Sequence, residues 1–476
     1  MIDLLWMAGK AFVIALILTP IIRDISRSFN YVDRPGHRKV HAYPMPRVGG
    51  IAIAIAYGTS MILFRRSDAG TVAGSLHDVW KLIPGAAFVF LLGLLDDFLV
   101  LKPIVKLLGL VIAASVVFYS GIRFGGIAEH PLALWLDYPL TVFWLLLTSN
   151  ALNLVDGLDG LCAGMGLMAT LALFTAAMIH GNYPLAYVTL PLAGSLLGFL
   201  CYNVAPATVF LGDSGALLIG FLLGCYGMLW TQKTSTLVSM LVPLLALSIP
   251  LLDVSLSVLR RFLRNQPIFS ADRGHIHHRL LDRGLSPRQA VWVLYLLAAL
   301  AASLALLASN FGWEYQGFVI VAFAVVAFIG IRKLRYPEFD VAGRLLFRGE
   351  FQRAMNVRLK IETVASALER AVTGDQWWDA LSQSLAPLHL ISVRWISSSG
   401  SREQRKSSAP AGWFFRIPLS SSDAVEFEGA FLSEEMAPAP AFDLVGFAEI
   451  LKRTYPPNRA RRHSAEPAGS VAAAIP

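Results

Sequence analysis

The sequence is poor in cysteine and in charged residues, and each shortage narrows the possible classes of protein. Three cysteines in 476 residues are too few for a small disulfide-rich scaffold. Charged side chains make up 15% of the chain and hydrophobic ones 55%, whereas soluble domains carry roughly 25% charged residues. This balance excludes a disordered or collagen-like chain and favours a membrane protein.

Long apolar runs are the main feature of the first two thirds of the chain. A helix needs about 20 apolar residues to cross a bilayer, and it must satisfy its own backbone hydrogen bonds there. Eleven runs qualify as candidates: residues 3–22, 48–64, 82–95, 104–120, 139–154, 161–180, 184–202, 214–231, 236–259, 291–309 and 315–332. We therefore predict an all-α polytopic membrane protein with about eleven transmembrane helices.

The distribution of Lys and Arg predicts how this helical part is oriented. The net charge of +8 lies wholly in residues 1–336, which hold 24 Lys and Arg against 16 Asp and Glu. Odd-numbered connections between the predicted spans carry 14 of the cations and even-numbered ones five. The positive-inside rule then puts the odd connections and the C-terminus in the cytoplasm and the N-terminus outside. The same rule explains the basic composition without a nucleic-acid partner, and we predict none.

Polar residues that could bind a ligand or take part in catalysis cluster on the odd-numbered connections, which are predicted to be cytoplasmic. The first connection is a basic loop with Arg38, Lys39, His41 and Arg47, either a plain positive-inside loop or a phosphate-binding one. The third span ends in an adjacent pair of acids, Asp96 and Asp97, with Lys106 beyond them. Neighbouring carboxylates at a membrane boundary repel each other and need a cation or a role.

Three further polar stretches follow on the same face. Asn150, Asn153, Asp156 and Asp159 recur every three residues, with glycines at 157 and 160 that break the helix. Such residues form either a polar stripe or simple caps and turns. Asp213 opens the eighth span, as a helix cap or as a metal ligand beside a phosphate-binding helix N-terminus.

The ninth connection contains His275, His277, His278 and Arg279. No cysteine accompanies these histidines and the other available ligands are carboxylates and amides, which suits Mg²⁺ or Mn²⁺ better than zinc. Hydrogen bonding to a diphosphate is the favoured interpretation, and a solvated basic loop is the alternative. Five stretches on one membrane face thus predict a site for a divalent cation and a phosphorylated substrate.

These stretches, in this order, resemble the motifs of the polyprenyl-phosphate N-acetylhexosamine-1-phosphate transferases (glycosyltransferase family 4). The motifs are 33–50, the Asp96–Asp97 pair, NALNLVDGLDGL, FLGDSG and HIHHRL. The resemblance covers residues 1–335. It implies transfer of a sugar 1-phosphate from a UDP-N-acetylhexosamine to undecaprenyl phosphate, with release of UMP, on the cytoplasmic face of a bacterial inner membrane. It leaves a homodimer open.

The resemblance also implies roles for individual residues. The catalytic residues would be Asp96, Asp97 and Asp213. The ligands of Mg²⁺, or of Mn²⁺, would be Asp213, Asp156 and Asp97. The nucleotide and its diphosphate would contact Asn150, Asn153, Asp156, Asp159, His275, His277, His278 and Arg279. The lipid phosphate or other substrate groups would meet Arg38, Lys39, His41, Arg47 and Lys106.

Two alternatives remain at this stage. The first is a UDP-MurNAc-pentapeptide transferase of peptidoglycan synthesis. That branch of the family typically has three consecutive histidines, whereas this chain has HIHH followed by Arg. The chain therefore looks more like the branch that uses UDP-GlcNAc and starts surface polysaccharides such as O-antigen. A multi-span transporter is the alternative of a different class. Its acids would be expected near the membrane midplane, with inverted repeats. Here the acids lie at the ends of the spans.

The last 140 residues depart from this pattern. We predict a cytoplasmic α+β domain over 336–455, with helices at 355–371 and 443–452 and strands at 388–396, 413–419 and 425–432. Residues 397–412 read as a flexible loop and 456–476 as a disordered tail, since they are rich in Ser, Gly, Pro and Ala. A scaffold or interaction module is the expected role of this domain.

Overall fold

The computed structural model describes twelve stretches of the chain: 2–33, 44–67, 80–127, 130–234, 240–263, 274–310, 313–334, 361–383, 390–398, 400–405, 413–429 and 444–456. Two compact units divide the chain, Met1–Tyr336 and Pro337–Pro476. All of the helices, strands and contacts named below lie within these described stretches. The predicted tail at 456–476 lies outside them except for its first residue.

The first unit is helical apart from a two-stranded hairpin, β1 (Gly126–Ile127) and β2 (His130–Pro131). Its helices are α1 (Ile2–Ser28), α2 (Gly49–Ser67), α3 (Ile83–Leu99), α4 (Pro103–Tyr119), α5 (Leu134–Val155), α6 (Leu161–Ile179), α7 (Tyr183–Asn203), α8 (Gly212–Thr234), α9 (Leu241–Ala246), α10 (Ser248–Leu263), α11 (Ile276–Asp282), α12 (Pro287–Asn310) and α13 (Trp313–Lys333).

Within the described stretches, six helices are long and apolar enough to cross a membrane: α1, α5, α6, α7, α8 and α12. The chain is therefore a membrane protein, but the eleven predicted spans are not confirmed. The predicted ninth span, 236–259, differs most, since its described part consists of two helices, α9 and α10, that meet at Leu247. A proline in each of these helices, Pro243 and Pro250, favours such a break because proline lacks the N–H of a continuous helix.

Helix α8 is the centre of the first unit. In its apolar stretch 94% of the residues are buried, against 22% in α1 and 33% in α12. Small residues permit this central position. A Cβ atom at Gly220 would lie 2.7 Å from the Cα of Ser149, so α5 and α8 touch backbone to backbone there. The first turn of α8, with Asp213, is thereby held close to the last turns of α5.

The opposite end of α5 contains a separate buried carboxylate. Asp137 is 1% exposed. Its oxygens lie 3.5 Å from Nε of Arg123, 3.3 Å from Oγ1 of Thr141 and 3.2 Å from the backbone N of Gly125. These contacts anchor the loop before the β1–β2 hairpin. With a rise of 1.5 Å per residue, Asp137 lies about 24 Å along α5 from Asn153.

The second unit is a four-stranded antiparallel sheet covered by helices. Its helices are α14 (361–370), α15 (Gly374–Gln383) and α16 (Leu444–Thr454). Its strands are β3 (Leu390–Ser397), β4 (Gly400–Arg405), β5 (Trp413–Pro418) and β6 (Ala424–Gly429), in the order β4-β3-β6-β5. Val393, Val425 and Phe427 from the sheet and Trp377 and Leu451 from the helices form its core.

A small α+β domain is thus confirmed, and one part of its predicted layout was wrong. Residues 400–405 of the predicted flexible loop form strand β4, which pairs with β3 from Ser392–Arg405 to Ser397–Gly400. All six residues of β4 are exposed, so the strand shows no alternation of apolar and polar residues from which it could be predicted. Helix α15 was also not predicted.

A buried aspartate fixes the turn between β5 and β6. Asp423 accepts hydrogen bonds from the hydroxyls of Ser420 and Tyr455 and from the backbone N of Ser398. Burial opposes its ionisation, but these donors lower the pKa of Asp423 overall. Burial and the hydrogen bond to Asp423 raise the pKa of Tyr455 to about 12.

Candidate active site

The ends of α3 and α8 meet at a carboxylate. Both oxygens of Asp97, in the last turn of α3, accept hydrogen bonds from the first turn of α8: Oδ1 lies 2.8 Å from the backbone N of Asp213, and Oδ2 lies 3.0 Å from that of Ser214. The first N–H groups of a helix have no partner inside the helix. Asp97 therefore caps α8 from another helix and fixes the position of Asp213.

Glycines make this approach possible. A Cβ atom at Gly93 would lie 2.6 Å from the Cα of Ser214, so α3 and α8 pack with their backbones in contact. Gly212 has a φ of +78°, and a Cβ atom there would lie 2.8 Å from the Asp97 carboxylate. Any other residue would be strained at Gly212 and would also displace the cap.

A lysine from α4 joins two of the acids. Nζ of Lys106 lies 2.5 Å from Oδ2 of Asp96 and 2.9 Å from Oδ2 of Asp213. The other oxygen of Asp96 accepts the backbone N–H of Leu101 at 2.7 Å. Val100 has a φ of 51°, an unusual value for a β-branched residue, and this turn brings Leu101 back toward Asp96. The two carboxylates are thus gathered around one ammonium group.

The C-terminal end of α5 supplies the next polar groups. The side chain of Asn153 interacts with the Asp213 carboxylate. Asp156, which directly follows α5, lies within electrostatic range of Asp213, Asp97 and Arg47. Partial burial and the neighbouring negative charges raise the pKa of Asp156 to about 7. An added positive charge at this point would therefore favour the ionised form of Asp156.

The described end of the basic loop runs alongside the segment that leads into α8. The backbone N of Phe210 donates to the carbonyl of Pro46, and Gly49 and Gly50 donate to the carbonyls of Phe210 and Leu211 at 3.0 and 2.8 Å. This pairing brings Arg47 to the acids. Its half-exposed guanidinium lies 3.6 Å from Asp33.

The histidine segment packs against the turn after α5. The ring of His277 lies against Gly157, where a Cβ atom would come within 3.0 Å of Cε1. Its ring plane is within 7° of that of His275, with centroids 5.7 Å apart, and the centroid of the His278 ring lies 4.3 Å from that of His277. Burial, together with the nearby His278, lowers the pKa of His277 to about 4. His277 is therefore neutral at pH 7.

The structure thus gathers most of the residues singled out by sequence, although their roles stay predictions. Two of the predicted nucleotide ligands make other contacts: the Asn150 amide donates to the carbonyl of Leu146, one turn back in its own helix, and Asp159 accepts the backbone N–H of Ala207. His278 and Arg279 lie half-buried on α11. Arg38, Lys39 and His41 lie outside the described residues.

Several residues to which the sequence assigned no role in the site hold this cluster together. Tyr31 donates to the carbonyl of Asp97. Gly160, which ends the Asp156 turn, is held by Oδ1 of Asn203 at its N–H and by the hydroxyl of Tyr295 at its carbonyl. Asp253 contacts the histidine segment. Of these, Asp253 had a usable signal, because an acid inside a predicted span demands a partner.

The donor atoms fit a divalent cation that is shared with a substrate. Within the described stretches, no group of three or more His, Cys, Asp or Glu is placed to hold a metal by itself. Mg²⁺, however, usually takes one or two protein carboxylates and completes its shell with water and substrate phosphates. Asp213, with Asn153 and Asp156 nearby, offers oxygens of this kind.

Comparison with known proteins gives a consistent set of relatives. A family model described as glycosyl transferase family 4 matches residues 79–231, which include Asp96, Asp97, Asp156 and Asp213. A probable undecaprenyl-phosphate N-acetylglucosaminyl 1-phosphate transferase of Bacillus subtilis is 36% identical over 299 residues, 60% of this chain and 81% of the relative.

Two further relatives extend the set. A decaprenyl-phosphate N-acetylglucosaminephosphotransferase of Mycolicibacterium smegmatis is 33% identical over 320 residues, 61% of this chain and 79% of the relative. The undecaprenyl-phosphate alpha-N-acetylglucosaminyl 1-phosphate transferase of Escherichia coli K12 is 28% identical over 319 residues, 64% of this chain and 84% of the relative. All three are named for the same kind of group transfer.

Proposed function

The chain belongs to glycosyl transferase family 4, and from this membership we propose that it transfers N-acetylglucosamine 1-phosphate from UDP-N-acetylglucosamine to undecaprenyl phosphate. The structural observation that supports the proposal is the cluster in which Lys106 joins Asp96 to Asp213 while Asp97 caps the helix that begins at Asp213. Carboxylates gathered around an ammonium group beside a helix N-terminus suit a reaction between two phosphorylated molecules.

The reaction exchanges one phosphoanhydride bond for another. An oxygen of the lipid phosphate attacks the phosphorus that carries the sugar, the bond from that phosphorus to the bridging oxygen of UDP breaks, and UMP leaves with the bonding electrons. The products are UMP and a lipid diphosphate that carries the sugar. Since both reactants are anions, positioning and charge neutralisation contribute most of the rate enhancement.

Lys106 and Asp96 are assigned to the lipid phosphate. The Lys106 ammonium, which is partly exposed, supplies the positive charge that attracts this phosphate to the cluster. Asp96 is 6% exposed and is held by Lys106 and by the N–H of Leu101. A carboxylate fixed in this way can accept the proton of a singly protonated phosphate, which makes the attacking oxygen more nucleophilic.

Asp213 and the α5 residues are assigned to the donor. Asp213 and Asp156 would hold Mg²⁺, with Asn153 beside Asp213, and Asp97 keeps Asp213 in place by capping α8. Mg²⁺ would supply positive charge against the diphosphate oxygens. Arg47 and the histidine segment surround the same turn and would contact the diphosphate or the sugar, with neutral His277 as a hydrogen-bonding partner rather than a charge.

The membrane arrangement proposed for this chemistry is the eleven-span one, in a bacterial inner membrane, with the N-terminus outside and the site in the cytoplasm. We expect a membrane-impermeant maleimide, applied to intact spheroplasts, to label a cysteine at exposed His180 and not one at exposed Arg283, in a background without native cysteines. Both should react after permeabilisation. Labelling of the Arg283→Cys variant in sealed cells would contradict the orientation. The mass of the solubilised particle distinguishes a monomer from a homodimer, which the resemblance leaves open.

A direct assay tests the function. We expect purified protein in liposomes to convert labelled UDP-N-acetylglucosamine and undecaprenyl phosphate into an organic-extractable product and an equal amount of UMP, and to lose this activity when EDTA is added. Excess UMP should reverse the reaction, because one anhydride replaces another. Omission of the lipid phosphate is the matched control.

The same assay separates the alternatives. The relatives compared above are named for N-acetylglucosamine transfer, and none is named for muramoyl-pentapeptide transfer. Product from UDP-muramoyl-pentapeptide, with none from UDP-N-acetylglucosamine, would overturn the assignment of the sugar. Label that stays in the aqueous phase with every UDP-N-acetylhexosamine would overturn the transferase proposal itself.

A further inference from the structure

Asp253 is a buried acid to which the reaction described above assigns no role. It lies in the first half of α10, a stretch that reads SIPLLDVSLSV, and it is 1% exposed. An ionised carboxylate in such surroundings is strongly destabilising unless hydrogen bonds or a counter-charge compensate it. The contacts that Asp253 makes should therefore explain why it is there.

Both oxygens of Asp253 point to the start of the histidine segment. Oδ1 accepts the backbone N–H of Ile276 at 2.8 Å, and Oδ2 lies 3.1 Å from Nδ1 of His275. An ionised carboxylate can only accept hydrogen bonds, so the pair is satisfied when Nδ1 of His275 carries the proton. With a single proton on the ring, at Nδ1, the Nε2 atom is left as an acceptor. Asp253 thus selects one tautomer of His275 and holds the plane of its ring.

The same helix supports the segment at a second point. Arg260 follows Asp253 by two helical turns and therefore lies on the same side of α10. Its guanidinium packs under Gly274, where a Cβ atom would lie 2.6 Å from Nε. Two buried charged residues of one helix, an acid and a base, thus hold the residues that lead into α11.

From His275 the contact continues to the reacting groups. The His275 ring is parallel to that of His277, and His277 lies on Gly157, next to Asp156. We propose that Asp253 is a positioning residue for the transfer reaction, which sets the tautomer and orientation of His275 and holds the first turn of α11 against the Asp156 turn. This inference rests on the proposed function, because the histidines matter only if they meet a substrate.

The variant Asp253→Asn separates positioning from folding. The Ile276 N–H can only donate, so the amide oxygen must face it, and the amide NH₂ then faces Nδ1 of His275. His275 must accept there and carry its proton on Nε2, the reverse tautomer. Loss of the carboxylate partner of a metal-bound histidine typically costs about 10–100-fold in activity, and His275 is held by Asp253 in the same way. We expect a kcat lower by such a factor, with the melting temperature close to that of the parent.

Two controls make the measurement decisive. Asp137→Asn changes another acid that is 1% exposed, far along α5 from the site, and should leave kcat within about twofold of the parent. His275→Phe keeps a flat ring but removes both nitrogens. If Asp253 acts through His275, adding Asp253→Asn to His275→Phe should lower kcat no further. Multiplied losses in the double variant, or an unchanged kcat in Asp253→Asn, would overturn the proposal.

A spectroscopic measurement keeps this test independent of the reaction. Solid-state NMR of ¹⁵N-histidine-labelled protein in liposomes distinguishes the two tautomers, and His275→Phe identifies the His275 signal. We expect the proton on Nδ1 in the parent and on Nε2 in Asp253→Asn. If the parent has no transfer activity but the proton still moves from Nδ1 to Nε2 in Asp253→Asn, the proposed function is refuted while the pairing of Asp253 with His275 stands. If the parent is active but the His275 tautomer is the same in the parent and in Asp253→Asn, the positioning role is refuted.

Discussion

Asp213→Asn is expected to lower the rate of sugar-phosphate transfer by about 100- to 1,000-fold, the range seen when a single electrostatic stabiliser is removed from an active site. The amide keeps the volume of the carboxylate but lacks its negative charge. That charge is what Asp213 is proposed to contribute, both in holding Mg²⁺ and in pairing with Lys106. The rate should be measured with saturating lipid phosphate and UDP-N-acetylglucosamine.

The structure explains why this variant should still fold. The cap of α8 is made by the oxygens of Asp97 and by backbone N–H groups, and the Asp213 side chain takes no part in it. The melting temperature should therefore stay near that of the parent. Asp282→Asn, at an exposed acid on α11, is the control for loss of one negative charge. More than a tenth of the parental rate in Asp213→Asn would rule out the assigned role.

Lys106→Met should reduce both activity and stability. Without the ammonium group, the carboxylates of Asp96 and Asp213 face each other without a counter-charge. Removing one partner of a fully buried ion pair costs about 3–5 kcal/mol. Because Lys106 and Asp213 are partly exposed, we expect a smaller loss, about 2 kcal/mol, read as a lower midpoint of thermal unfolding in nanodiscs.

A second substitution separates the two effects. Lys106→Met combined with Asp96→Asn removes the repulsion between the carboxylates, so the unfolding midpoint should return toward the parental value. Transfer should remain at least 100-fold slower, because neither the cation nor the acceptor of the phosphate proton is present. Recovery of the rate along with the stability would show that Lys106 serves only to hold the fold together.

The sequence predicted which stretches form the site better than it predicted what each residue does there. The parity of the connections placed five polar stretches on one face, and their described parts meet in the structure. The three-residue spacing was a weaker guide. Each step of three residues rotates a helical side chain by about 60° from the previous one. Asn150 is thus 60° away from Asn153, and its amide bonds within α5.

Other differences have equally local causes. The sequence predicted Asp97 as half of a catalytic pair, and in the structure its oxygens accept N–H groups at the start of α8. Which partner they meet depends on how α3 packs against α8, and no local sequence pattern encodes that packing. The role of Asp253 depends on a partner 22 residues away. Strand β4 consists of exposed polar residues and is defined by its pairing with β3 rather than by its own sequence.

The backbone contact between α5 and α8 at Gly220 has a consequence for how the enzyme responds to its lipid surroundings. Asn153 and Asp213 lie on two helices that touch backbone to backbone and whose apolar stretches are 50% and 94% buried, whereas the apolar stretches of α1 and α12 are only 22% and 33% buried. Changes in bilayer thickness should therefore tilt the outer helices first. Turnover should vary little between short-chain and long-chain phospholipids, even where the melting temperature changes.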